Sequence, residues 1–107
     1  MTMKREDREK QRITQALSRC EVMINPRLRG ITGSLSRPTR SPTDHIVRNN
    51  PARIAHAAWM IQQTRKLLEQ GKLYKASRWL GTIQGILWTT ELCTIADLRQ
   101  MNTLENP

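Results

Sequence analysis

Phenylalanine is absent from this chain of 107 residues and tyrosine occurs once. With 37% hydrophobic residues, the core has to be small, enough for one domain of marginal stability or one helped by oligomerisation. No run of about 18 apolar residues occurs, which argues against a membrane-spanning helix. Met1 to Arg12 hold no apolar segment, so no secretory leader is expected and the protein is expected to stay in the cytoplasm where it is made. The two cysteines, Cys20 and Cys93, lie far apart without metal-like spacing and read as reduced, helix-facing residues. The two histidines, His45 and His56, have no ligand partners at helical spacing. Gly-rich phosphate loops, nucleophile elbows, paired carboxylates and Cys/His frameworks are all missing, so no catalytic residue, cofactor or metal is expected. Acid is scarce as well. Nine Asp and Glu stand against eighteen Lys and Arg, a net charge of +9, and such an excess favours a polyanionic partner.

What is present is helical periodicity with clear punctuation, and it predicts an all-α fold. Residues 1–24 read as an amphipathic N-terminal helix. Its first half, Lys4 to Arg12, is almost all charged, and its second half carries Ile13, Ala16, Leu17, Cys20, Met23 and Ile24 on one stripe. Asn25-Pro26 is expected to stop it, because the residue before proline is pushed out of helical geometry. Residues 51–107 read as a central antiparallel helical hairpin plus a short C-terminal helix. Asn49, Asn50 and Pro51 give a helix start, Ile54, Ala57, Ala58, Met60, Ile61, Leu67 and Leu68 give its apolar face, and Gly71 ends it. The next helix presents Leu73, Ala76, Leu80, Ile83 and Leu87, flanked by Trp79 and Ile86. All three tryptophans, Trp59, Trp79 and Trp88, fall in this hairpin, which is expected to supply most of the buried area.

Ser77, Gly81 and Gly85 form a second stripe on that helix. Each helical glycine costs about 1 kcal/mol relative to alanine, and the expected compensation is close packing, with Gly85 opposite Ala57 and Gly81 opposite Ile61. Gly85→Leu is then expected to overpack and destabilise. A homodimer contact through the same face is the alternative. Near the end of the chain, Thr94 and Asp97 approximate a capping box, with Ile95, Leu98 and Met101 expected in the core. The last helix carries one arginine, Arg99, beside Asp97, too little for groove reading by a helix-turn-helix.

Residues 25–50 differ in texture. Pro26, Pro38, Pro42, Gly30 and Gly33 punctuate a Ser/Thr-rich segment that sustains neither helix nor strand period, an irregular arginine-rich arm or linker. It carries Arg27, Arg29, Arg37, Arg40 and Arg48 against one acid, Asp44, and no lysine. Arginine offers phosphate and carboxylate a planar fork. Around the hairpin turn, Arg65, Lys66, Lys72, Lys75 and Arg78 make a second basic cluster. These ten residues are the candidate contacts for nucleic acid, chiefly through phosphates. The small number of aromatics expected outside the core argues against base stacking. An acidic groove of a host protein is the alternative partner.

In texture the chain resembles the small, basic, helical accessory proteins of tailed bacteriophages, with Arg78-Trp-Leu-Gly-Thr-Ile-Gln-Gly-Ile-Leu-Trp88 its most distinctive part. The resemblance implies a bacterial host cytoplasm and a non-enzymatic, regulatory role, binding host machinery or nucleic acid.

Overall fold

The computed structural model describes residues 4–28 and 50–103, and these form four helices with no strand among them. In α1 (Arg5–Leu28), Ile13, Ala16, Leu17, Cys20 and Ile24 share one face and all five are buried. The helix does not stop at Asn25-Pro26 as expected but continues to Leu28. Pro26 removes one backbone donor and crowds the carbonyl of Val22, yet Val22 is 70% exposed, so that carbonyl can tilt into water. Leu28, four residues beyond Ile24, extends the apolar stripe and packs against the core, which holds the last turn in place.

Asn50–Glu69 form α2, with Ile54, Ala57, Met60, Ile61 and Leu68 buried. The side chains proposed to cap its start lie outside the described residues. Between Ile61 and Leu68 the buried position is Thr64, whose hydroxyl donates to the Met60 carbonyl at 2.7 Å, so no polar atom is stranded. At the C-terminus Gly71 takes φ +76°. Its N–H donates to the Leu68 carbonyl at 3.0 Å and that of Lys72 to the Leu67 carbonyl at 2.9 Å, the paired closure that a left-handed residue permits.

Leu73–Thr89 form α3, which follows at once and shares with α2 the most extensive helix contact; α1 packs on both. The buried residues of all three helices join in one cluster. Aliphatic side chains fill it. Trp59 and Trp79 are only half-buried, their rings 6.2 Å apart, and Trp88 is 52% exposed. Among the described residues the hairpin still supplies most of the buried hydrophobic side chains, but through Ile54, Met60, Ile61, Leu68, Leu80, Ile83 and Leu87 rather than its tryptophans, and α1 adds Ile13, Leu17 and Ile24.

The glycine stripe is corrected too. A Cβ built on Gly81 or Gly85 meets nothing within 4 Å among the described residues. On α3 the buried residues Ala76, Leu80, Ile83 and Leu87 occupy the face opposite the glycines, so Ala57 and Ile61 pack into the aliphatic core and not into a glycine groove.

A left-handed residue also closes α3, but here it is Glu91, φ +64°. The N–H of Leu92 donates to the Leu87 carbonyl at 2.9 Å and that of Glu91 to the Trp88 carbonyl at 3.1 Å. Ile95–Met101 then form α4, with the expected Thr94–Asp97 capping box in place. Ile95, in the first turn, is 45% exposed rather than buried, and Met101 fills the core from the last. Arg19 fastens that end, its guanidinium donating to the carbonyls of Gln100, Met101 and Thr103 at 3.0, 2.8 and 2.9 Å. A cation on the last carbonyls of a helix also meets the negative end of its dipole. Asn102 and the buried Gln84 exchange amide hydrogen bonds of 2.8 and 3.3 Å. Cys20 contacts Met101 and Cys93 contacts Met23, sulfur to sulfur, where α4 meets α1.

His56 is buried beside Trp59, ring centroids 5.4 Å apart, and burial holds its pKa below the ordinary 6.5. Above that pH the ring is neutral in both folded and unfolded chains and stability does not change. Below it the unfolded chain takes the proton first, so stability falls as pH drops toward the lowered folded value, by at most about 1.4 kcal/mol per pH unit. Thermal midpoints measured from pH 7 to pH 5 are expected to decline, and His56→Gln is expected to flatten that slope. Glu9 and Glu21, whose carboxyls are held below 4.5 by Arg12 and Arg65, act only at lower pH.

Candidate nucleic-acid interface

The described cations divide by what holds them. Arg12 pairs with Glu9 one turn away. Arg65 donates to both carboxylate oxygens of Glu21 at 2.8 and 3.1 Å, with Gln62 adding a third hydrogen bond at 3.1 Å. This fork joins α2 to α1, so Arg65, though near the turn, is committed to the fold. Lys66 is exposed on the last turn of α2. Lys72, Lys75 and Arg78 are exposed and make no ion pair among the described residues.

Between Lys72 and Thr90 there is no acidic residue. The 4-3-4-3 spacing of Tyr74, Arg78, Gly81, Gly85 and Trp88 puts them on one face of α3, opposite the core. Tyr74 is 77% exposed. The Arg78 guanidinium lies over its ring, 5.4 Å from the centroid, a cation–π contact that leaves guanidinium N–H groups for an anion. Toward the turn, Glu6 of α1 joins Gly71, Lys72, Leu73, Tyr74 and Lys75 around an open depression.

That depression also orients the molecule. Since Glu6 lies at the turn, α1 starts there and runs away from it, which puts Arg27, on its exposed last turn, roughly 30 Å along the helix from the basic turn. The structure thus keeps Lys66, Lys72, Lys75 and Arg78 at the turn and the start of α3, and sets Arg27 apart. Arg29, Arg37, Arg40 and Arg48 lie outside the described residues.

Tyr74 and Trp88 are exposed, a placement that the sequence reading did not anticipate. The signal was there: both belong to the acid-free glycine stripe, and that stripe is open to solvent. Elsewhere the chemistry is quiet. Burial, with a smaller contribution from neighbouring Cys93, pushes the Cys20 thiol up to about 12, and burial raises Cys93 as well, so both are protonated at neutral pH and poor nucleophiles. Among the described residues no cluster of three or more His, Cys, Asp or Glu could hold a metal ion, and no helix is long and apolar enough to cross a membrane. Comparison with protein-family models, curated proteins and solved structures gives no match.

Proposed function

We propose that the protein binds nucleic acid without catalysing a reaction, taking phosphates on Lys72, Lys75 and Arg78 at the start of α3, where its open face begins, with Lys66 beside them. One observation carries this reading. The arginines that build the fold are engaged by carboxylates or carbonyls, whereas Lys72, Lys75 and Arg78, in an acid-free stretch, are exposed and make no ion pair among the described residues, the arrangement that a phosphate backbone neutralises. Arg27 adds charge for a partner long enough to reach it, and the arginines at 29, 37, 40 and 48 add to the positive charge of the chain. A regulatory or accessory role in a bacterial host cytoplasm is the setting that the resemblance to phage proteins suggests.

Binding of fluorescently labelled oligonucleotides across a salt series tests it. Three phosphate contacts on duplex DNA give a slope near −2.7 in log K against log salt, a loss of about 40-fold between 50 and 200 mM. Absence of binding to any DNA or RNA at low salt would overturn the reading in favour of an acidic protein partner.

A further inference from the structure

We propose that the strand received on this face is single, and that its bases stack on Tyr74 and Trp88, an inference that rests on the nucleic-acid reading above. The two rings stand at opposite ends of one acid-free helix face, 77% and 52% exposed, about 20 Å apart along the axis. A ring left in water that contributes little to the core is available to a base, and base–aromatic stacking is the usual way to hold a single strand without reading its sequence. Arg78 over the Tyr74 ring supports the platform and supplies a phosphate contact at its edge. Between the rings Gly81 and Gly85 have no neighbour among the described residues within 4 Å of a Cβ, so a strand can lie against the helix backbone. A duplex keeps its base faces stacked on each other and cannot use the rings.

The test uses the full chain with a single-stranded oligonucleotide of about 12 nucleotides and a duplex of the same sequence. Tyr74→Leu and Trp88→Leu are expected to weaken single-strand binding by roughly tenfold each, the lower part of the range for one lost stack. The salt slope and duplex binding should stay as in the wild type, and Trp88→Phe should restore most of the loss. Binding of the single strand is also expected to quench the fluorescence of Trp88. Because both side chains lie mostly outside the core, circular dichroism should show folded variants. Equal losses on duplex and single strand, no loss on either, or a dimer that the leucine variants dissociate would each overturn the inference. A wild type that binds duplex but not single strand overturns stacking alone, and one that binds neither overturns the nucleic-acid reading with it.

Discussion

Replacing Lys72, Lys75 and Arg78 together with glutamate is expected to lower nucleic-acid affinity by about three orders of magnitude while leaving the protein folded. Each phosphate contact is worth about 0.9 in log K per decade of salt below 1 M, so three contacts carry roughly 2.7 log units at 0.1 M, and the introduced carboxylates add repulsion. The fold should tolerate the change because the three side chains are exposed and make no ion pair among the described residues; the cation–π contact of Arg78 with Tyr74 is a surface interaction of about 0.5–1 kcal/mol. Anisotropy titrations at constant salt, paired with thermal melts, make the measurement. Affinity within a few-fold of wild type would move the interface off α3, to the arginines of the 29–48 segment.

The second large effect concerns the core. Leu17→Ala is expected to destabilise the protein by about 3 kcal/mol, a fall in melting temperature of roughly 10–25 °C for a domain of this size. Leu17 is fully buried, and α1 packs on both α2 and α3, so the deletion opens a cavity at the centre of a three-helix core. The comparison is Val22→Ala on the same helix. Val22 is 70% exposed, and its truncation should change stability by no more than about 0.5 kcal/mol. A melting temperature unchanged by Leu17→Ala would mean that α2 and α3 stand without the N-terminal helix.

Spacing and punctuation were enough for the helices. The α1 stripe, the turn at Gly71 and the Thr94–Asp97 box each rest on local rules that the tertiary structure has no reason to override. Where tertiary contacts decide, the reading failed. Pro26 is a helix stop by local rules, but Leu28 beyond it finds the core. Trp88 is a core residue by type, but its place on the helix turns it to water. Thr64 and Gln84 are polar by type, yet both are buried because Met60 and Asn102 satisfy them. Among the candidate site residues, composition identified the cations but could not separate Arg65, held by Glu21, from Lys72, Lys75 and Arg78, because pairing between α1 and α2 depends on a register that one sequence does not reveal. The glycines were the instructive failure. Their cost was expected to be offset by close packing, but no described residue approaches them. A local rule broken without an internal gain is most often found at a functional surface.

The most direct test of that claim is therefore the variant Gly81→Leu/Gly85→Leu, with melting temperature and single-strand affinity measured on the same sample. On an open helix face each leucine should gain about 0.5 to 1 kcal/mol over glycine, so the melting temperature should rise by about 5–10 °C. The new side chains would stand between Tyr74 and Trp88, and affinity should fall at least tenfold. Higher stability with weaker binding is the predicted result. A lower melting temperature would show that the stripe packs inside the molecule after all, and unchanged affinity would show that the ligand does not lie on α3.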